Sequence, residues 1–221
     1  MSEDCCYNGD AEKGSVEYWN GVYEEEKKHN WLDENQTDLI EMFDKANLDK
    51  NASLFLGGVG NAKLPEILIE KGYNNLILND ISPNALIELK NRLPKKDSLI
   101  FQAGDILATE TFLNHQNKFD IWIDRATLHF FTVCAQKDPY FERINETVKP
   151  GGHVLIGVFS KNNEPQCCGL DLQLWSIESL VNRLPNMDLV SERTVNFTEN
   201  NGTIREYIYV LFKKKVNRFV I

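Results

Sequence analysis

The sequence predicts an α/β protein in which a mostly parallel β-sheet carries helices on both faces and ends in an antiparallel hairpin. Two observations lead to this prediction. Short apolar runs without polar alternation recur between helix-like segments, which is typical of parallel strands buried on both faces. The last two predicted strands, 188–197 and 203–213, are separated by a turn-forming sequence alone, so we expect them to pair as a hairpin.

The predicted elements follow one another in a regular order. A polar leader precedes two helices within 16–46, which are broken around 30–35. Each of the next strands ends at a glycine-rich turn or close to an aspartate, and a Lys149-Pro150-Gly151-Gly152 turn precedes the fifth strand. The parallel strands are expected at 53–56, 76–78, 99–101, 119–123 and 153–159, with helices starting after 60, at 82–83 and at 176.

Length and composition limit the class of protein. The chain has 221 residues with 42% hydrophobic content, which suits one core. We expect a flexible leader at 1–15, a single domain at 16–215 whose segment 16–50 forms a helical lid, and a tail at 216–221. No apolar run approaches the roughly 20 residues that span a bilayer, and no export signal is visible at the start. We therefore predict a cytoplasmic protein that does not associate with membranes.

The net charge and the cysteines limit the kinds of partner and metal site that we expect. A formal net charge of -9 argues against nucleic-acid binding, which needs Lys and Arg to neutralise phosphates. The five cysteines are expected to be reduced. Adjacent pairs such as Cys167-Cys168 are poorly spaced for a tetrahedral zinc site, so no metal is predicted. The sequence does not indicate an oligomeric state.

Four chemical features converge on one edge of the predicted sheet. The turn Gly57-Gly58-Val59-Gly60 lets a ligand approach the backbone and the N–H groups of a helix N-terminus. Asp80 ends the second strand, where a carboxylate can accept hydrogen bonds from ribose hydroxyls. Asp105 and Asp124 follow the third and fourth strands. The pattern predicts a nucleoside site at the carboxyl ends of the strands.

These segments together resemble the motif series of the class I S-adenosylmethionine (SAM)-dependent methyltransferases. The similarity covers residues 18–215 and is closest to the small branch of thiopurine-methyltransferase-like and lysine-methyltransferase-like proteins. The resemblance implies a Rossmann-like seven-stranded sheet, SAM as cofactor and an enzyme that transfers a methyl group. It is carried by Leu56-Gly57-Gly58, Asn79-Asp80-Ile81-Ser82, Ala103-Gly104-Asp105, residues 119–130 (FDIWIDRATLHF) and residues 148–153 (VKPGGH).

The resemblance also implies roles for individual residues. Gly57 and Gly58 are expected at the methionine part of SAM, Asp80 at the ribose, and Asp105 with Ile106 at the adenine. The implied reacting centre is formed by Asp124 and Arg125. The spacing of His129 after these residues, considered apart from the resemblance, could bring it there as a general base, because an unperturbed histidine titrates near neutrality; a packed or capping histidine is the alternative. The remaining members of the expected cofactor set are Gly60, Ile81 and Trp31, the last as a lid residue.

One departure from the family pattern opens an alternative. The family usually has an acidic residue at the position of Phe55 and a glycine at that of Val59, and the acidic group helps to hold the amino group of SAM. A non-catalytic binding protein of the same fold is therefore one alternative. A nicotinamide-dependent oxidoreductase is another, because Gly57, Gly60 and Asp80 could serve that cofactor too.

The leading hypothesis from the sequence is direct methyl transfer, in which the protein aligns the acceptor with the methyl group and excludes water. The acceptor could be a small molecule or a protein side chain such as lysine. Because the short connections leave no separate substrate domain, the sequence slightly favours a small molecule.

Overall fold

The computed structural model of the protein describes residues 12–24, 29, 32–33 and 36–216. Most of the expected leader and tail lies outside these residues. No helix in the described ranges is long and apolar enough to cross a membrane. The helices are α1 (Val16–Glu24), α2 (Thr37–Asp44), α3 (Leu64–Glu70), α4 (Pro83–Arg92), α5 (Cys134–Thr147) and α6 (Ile177–Arg183). The strands are β1 (Ser53–Gly57), β2 (Asn75–Asp80), β3 (Leu99–Ala103), β4 (Phe119–Arg125), β5 (Val148–Phe159), β6 (Gln166–Cys167), β7 (Leu170–Asp171), β8 (Met187–Thr198) and β9 (Ile204–Lys214).

Seven of these strands form one sheet in the order β3-β2-β1-β4-β5-β9-β8. Strands β1 to β5 run parallel, while β9 pairs antiparallel with both β5 and β8. The predicted seven-stranded, mostly parallel sheet with a reversed C-terminal hairpin is confirmed. The strand order reverses between β1 and β4, and ligands bind at such a switch point in open α/β sheets.

Helices cover both faces of the sheet, as the apolar strands require. One buried cluster joins the sheet to α2, α3 and α4, and a second joins the opposite face to α5 and α6. All five residues of β1 are buried, with Leu54 and Leu56 in the first cluster and Phe55 in the second. Since successive side chains of a strand point to opposite faces, a strand covered on both sides must be apolar throughout.

The sequence Lys149-Pro150-Gly151-Gly152, predicted as a turn, is a bulge within β5. Phe119 pairs with Val148, but the next aligned pair joins Ile121 to His153, so the intervening part of β5 loops out of the ladder. Gly151 has φ +79°, a left-handed conformation that favours glycine. The strand thus begins before the predicted turn and resumes after it.

Two elements were not predicted. Helix α5 carries Pro139 in its interior, and its buried face consists mainly of Tyr140, Phe141 and Ile144, so its helical period is weak in the sequence. The second is the two-stranded hairpin of β6 and β7, which places Cys167 opposite Leu170. Strands of two residues are too short to leave a periodic pattern in a sequence.

Phe55 belongs to an aromatic cluster in the second core. Its ring centroid lies 4.2 Å from that of Trp122, 5.0 Å from Phe119 and 5.4 Å from Phe112. The side chain is fully buried. The acidic residue that the family usually carries at this position therefore gives way here to a packing residue.

We predict that Phe55→Asp lowers the free energy of unfolding by about 3 to 5 kcal/mol or more, because the variant loses a buried ring and buries a carboxylate. Phe55→Leu, which stays apolar, serves as the matched control and should lose less. Denaturant unfolding of both variants measures the difference. Equal stability of Phe55→Asp and the wild type would contradict the packing role.

Candidate active site

A cavity of about 630 Å³ opens at the carboxyl ends of β1, β2 and β4. This volume lies within the range of cofactor and ligand sites. It is lined by the glycine-rich turn, by the ends of β2 and β4, by α1 and by the hairpin of β6 and β7. Phe55 does not line it, so its aromatic ring is separated from any bound ligand.

The glycine-rich turn is packed so closely that side chains would not fit. A Cβ atom at Gly57 would lie 2.5 Å from Cδ1 of Ile106, and one at Gly58 would overlap the Thr127 hydroxyl. Gly58 and Gly60 also have positive φ angles of +58° and +53°. The turn consequently exposes backbone to the cavity, as a close approach to a ligand requires.

Asp80 ties the glycine-rich turn to the following helix. Its Oδ2 accepts a hydrogen bond from the Gly60 N–H at 2.8 Å, and its Oδ1 accepts one from the Ser82 N–H at 2.8 Å. Burial raises the pKa of Asp80 to about 6, against the opposing effect of these backbone hydrogen bonds. A carboxylate has about four acceptor sites, so acceptor capacity remains for a ligand in the cavity beside the backbone N–H groups of Gly60, Ile81 and Ser82.

The neighbouring wall of the cavity includes the other residues of the expected adenine and ribose end. Ile81 lies beside Asp80, and Ile106 is buried against the turn. Asp105 also lines the cavity, while its Oδ1 accepts a hydrogen bond from the Leu107 N–H at 2.8 Å. The structure thus brings together the glycines, Asp80, Ile81, Asp105 and Ile106. Trp31 lies outside the described residues.

Asp124 faces away from the cavity, in contrast to the sequence expectation. Ile123 and Arg125 line the cavity, and alternation along β4 turns the side chain between them to the other face. The Asp124 carboxylate accepts hydrogen bonds from the Thr127 N–H at 2.9 Å, the Leu128 N–H at 3.1 Å and the Tyr140 hydroxyl at 2.6 Å. It holds the turn after β4 and does not line the cavity.

Arg125 lies in the cavity wall among aromatic rings and one acid. Its guanidinium lies 4.9 Å from the centroid of the Tyr207 ring, and its Nε donates a hydrogen bond to the Tyr209 hydroxyl at 3.3 Å. The Asp33 carboxylate is 4.0 Å away. The charge is therefore paired and partly covered by π-systems, as a buried guanidinium requires.

His129 lines the cavity, but its environment does not suit a general base. Burial, together with the nearby charges of Arg125 and Arg205, lowers its pKa to about 3. The ring packs against Phe159 at 4.6 Å between centroids. The imidazole is neutral near pH 7 and too weakly basic to retain a proton, which corrects the expectation of a histidine titrating near neutrality.

Helix α1 crosses the cavity and is attached on both sides. On the cofactor side, Oδ1 of Asn20 accepts a hydrogen bond from the Ser82 hydroxyl at 2.8 Å. On the other side, the Tyr18 hydroxyl donates to the carbonyl of Cys168 in the hairpin. Trp19 and Tyr23 of the same helix line the cavity. The helix thus bridges the two walls.

Gln36 is a cavity residue that the sequence analysis missed. Its side chain is 1% exposed, its Nε2 donates to the Asp33 carbonyl at 2.7 Å, and its Oε1 finds no hydrogen-bond partner among the described residues. Its φ of 50° is unusual for a residue other than glycine, and such strain often marks functional positions. No sequence pattern signals a left-handed glutamine, so only the structure reveals it.

We predict that affinity for S-adenosylhomocysteine, the demethylated form of the implied cofactor, falls as the pH is lowered through about 6, because protonated Asp80 accepts fewer hydrogen bonds. Asp80→Asn should bind about tenfold more weakly at pH 7.5, with a flatter pH profile. Calorimetric titration at several pH values measures both effects. A full pH dependence in Asp80→Asn would assign the titration to another group.

A second prediction concerns His129. Its pKa is about 3 in the folded protein and about 6.5 when unfolded, so the unfolded chain binds the extra proton first and stability falls as the pH drops below about 6.5. Between pH 6.5 and 5, the free energy of unfolding of the wild type should fall by about 2 kcal/mol more than that of His129→Gln. Denaturant unfolding at both pH values tests this. Parallel losses in the two proteins would refute the low pKa.

Comparisons with known proteins show similarity to methyltransferases. Residues 56–156 match the model of a methyltransferase domain family. The EEF1A lysine methyltransferase 2 of Danio rerio is 25% identical over 91% of this chain and 87% of its own length. The region matched by the family model contains the glycine-rich turn, Asp80, Asp105 and the end of β4.

Solved structures share the fold. A SAM-dependent methyltransferase from Anabaena variabilis ATCC 29413 superposes with a TM-score of 0.74 at 12% identity, covering 90% of this chain and 93% of that one. The 1,6-didemethyltoxoflavin-N1-methyltransferase of Burkholderia thailandensis, solved with bound 1,6-didemethyltoxoflavin and S-adenosylhomocysteine, gives a TM-score of 0.61 at 17% identity, covering 81% of this chain and 80% of that one. These matches do not favour the oxidoreductase alternative. The methyltransferase domain model, the similar lysine methyltransferase and the shared fold support a class I SAM-dependent methyltransferase that uses SAM as its cofactor.

Proposed function

We propose that this enzyme methylates the ε-amino group of a lysine in a protein substrate. The observation that carries the proposal is the extent of the similarity to the Danio rerio lysine methyltransferase, which covers 91% of this chain. Coverage of that extent takes in more of the chain than the cofactor half alone. The net charge of -9 further favours association with a basic partner through electrostatic steering.

The residues of the cavity fit the cofactor. We assign the methionine part of SAM to the exposed backbone at Gly57 and Gly58, with Gly60 completing the turn. The ribose hydroxyls would bind the remaining lone pairs of Asp80, and the adenine would lie near Ile81, Asp105 and Ile106. The glycine-rich turn has no room for side chains, and it lies next to the buried carboxylate of Asp80, which can accept further hydrogen bonds. This combination suits SAM, which is a nucleoside joined to an amino acid.

When bound, SAM supplies a methyl group already activated on a sulfonium, so the protein's task is alignment and exclusion of water. We propose that segment 16–50 is the lid of the single domain 16–215. Helix α1 supports this role because it spans the cavity between Ser82 and the hairpin. Trp19 and Tyr23 on its inner side would shield the reacting groups from solvent.

A lysine must lose its proton before it can accept a methyl group. We propose that Arg125 favours this loss, because a nearby positive charge and burial both lower the pKa of an amine. The Oε1 of Gln36 would then accept a hydrogen bond from the amine and help to point its lone pair toward the methyl group. Tyr207 in the same wall would pack against the aliphatic part of the side chain.

Asp124 and His129 act differently in this proposal from what the sequence implied. Asp124 is a positioning residue, since it fixes the turn that carries Thr127 and Leu128. His129 remains neutral and serves as a wall of the acceptor end. Neither residue acts as a general base in this proposal, which is consistent with the low basicity of His129.

A small-molecule acceptor is the second candidate. The short connections leave no separate substrate domain, and α1 covers the cavity between its two attachments. A free metabolite could enter such a covered site more readily than a protein side chain. One labelling experiment distinguishes a protein lysine from a small molecule as the acceptor.

We predict that the purified protein transfers a labelled methyl group from SAM to lysine in purified EEF1A, and that mass spectrometry locates methyl-lysine. Arg125→Gln should lower kcat about tenfold or more while leaving S-adenosylhomocysteine affinity within about twofold, because the guanidinium acts on the amine. Gln166→Leu, on the outer rim of the same cavity, is the control and should stay close to wild type.

Label found only in small molecules from a metabolite extract would overturn the lysine proposal and favour the second candidate. An Arg125→Gln variant with unchanged kcat would remove the proposed role of the guanidinium. A variant that lost cofactor affinity in proportion to activity would instead place Arg125 in cofactor binding.

A further inference from the structure

Two adjacent cysteines form part of the cavity wall opposite the glycine-rich turn. Cys167 is half-buried and Cys168 is buried, and their Sγ atoms lie 3.3 Å apart. Both line the cavity. Cys168 has a φ of +54°, a left-handed conformation that is uncommon for a residue with a side chain. The turn of the hairpin thus presents two thiols side by side to the ligand space.

The backbone of the same turn holds α1 in place. The Cys168 carbonyl accepts the hydrogen bond from Tyr18, whose side chain is 2% exposed. The next carbonyl, that of Gly169, accepts a hydrogen bond from Lys13 Nζ at 2.8 Å. Tyr18 and Val22 also pack against Leu170 in a small apolar cluster. The position of the peptide after Cys168 therefore determines how α1 lies over the cavity.

We propose that Cys167 and Cys168 are a reversible oxidation site that releases α1 from the hairpin. The oxidant is a small disulfide such as glutathione disulfide. The Cys167 thiolate attacks it, forming a mixed disulfide and releasing one glutathione. The Cys168 thiolate then attacks the Cys167 sulfur and displaces the second glutathione. Two protein thiols lose two electrons and two protons, one protein disulfide forms, and one glutathione disulfide becomes two glutathiones.

The oxidised pair cannot keep the geometry of the reduced turn. A disulfide needs a sulfur–sulfur distance of about 2.05 Å, so the two Sγ atoms, now 3.3 Å apart, must approach each other. Adjacent Cα atoms lie about 3.8 Å apart, which is shorter than the roughly 4.4 to 6.8 Å that disulfides usually span. The strain of the closed ring therefore falls on the backbone dihedral angles of Cys167 and Cys168. A change in the dihedral angles of Cys168 redirects the peptide that follows it, which carries the Cys168 carbonyl.

The same strain makes the modification reversible. Strained disulfides have more oxidising potentials and are reduced readily, so the pair acts as a switch and not as a permanent crosslink. Loss of the Tyr18 hydrogen bond would remove one of the contacts that hold α1 against the hairpin. We expect this to accelerate dissociation of S-adenosylhomocysteine about tenfold, because α1 no longer closes the cavity.

The site is tested in a variant that keeps only these two cysteines: Cys5→Ser, Cys6→Ser and Cys134→Ser combined. Treatment with glutathione disulfide should remove two hydrogen atoms from the intact mass, and peptide mapping should place the bond between Cys167 and Cys168. Dithiothreitol should restore the mass. Further replacement of Cys168 by Ser should leave only a glutathione adduct at Cys167. If excess oxidant yields no internal bond in the variant with both cysteines, the proposal fails.

The link to α1 is tested through Tyr18. Stopped-flow dissociation of S-adenosylhomocysteine and hydrogen exchange of α1 should both become faster on oxidation of the two-cysteine variant. Tyr18→Phe in the same background should reproduce the faster dissociation while reduced, and oxidation should then add little. If oxidation leaves dissociation and α1 exchange unchanged, the disulfide does not release the helix. If oxidation accelerates dissociation as much in Tyr18→Phe as in the two-cysteine variant, the disulfide acts by another route. Either result would overturn the release of α1 through Tyr18.

Discussion

The buried carboxylate of Asp80 is the constraint on which the rest of the site depends. A carboxylate in an apolar interior is costly unless hydrogen bonds satisfy it, and here the N–H groups of Gly60 and Ser82 do so. Those two bonds fix the glycine-rich turn on one side and the start of α4 on the other. Ser82 in turn bonds Asn20 of α1. Helix α1 is thus joined to the start of α4, through Ser82 and also through Asn84, whose Nδ2 donates to the Asn20 carbonyl.

This arrangement also explains why the carboxylate titrates near the physiological range. The hydrogen bonds that favour its charged form do not fully offset the cost of burial, so the pKa remains raised at about 6. A nucleoside bound to its unused lone pairs would supply the missing stabilisation. The apo protein therefore keeps an unfavourable charge that binding relieves, which is a common way to favour ligand association without rigid closure.

Much of the fold could be predicted from the sequence, because parallel strands buried on both faces leave continuous apolar runs that end at the ligand edge. The glycines, Asp80 and Asp105 were located by that rule. Asp124 was not, since the rule gives the end of a strand but not the side to which each residue turns. The low pKa of His129 could not be predicted from the sequence either, because it arises from burial and from the charges of Arg125 and Arg205. Arg205 lies on β9, far from His129 along the chain. Such long-range charges leave no local pattern.

The position of β9 has a consequence for the synthesis of the chain. It is the last of the described strands, yet it lies inside the sheet between β5 and β8, and its Tyr207 lines the cavity. At roughly 5 to 20 residues per second, the ribosome leaves the β5 edge without its neighbour for several seconds. That edge carries Val154, Ile156 and Val158, all fully buried once β9 is in place. The unpaired, apolar edge of β5 must therefore be kept from pairing with other chains until β9 has been synthesised. The catalytic cavity is complete only after that, because Tyr207 of β9 forms part of its wall.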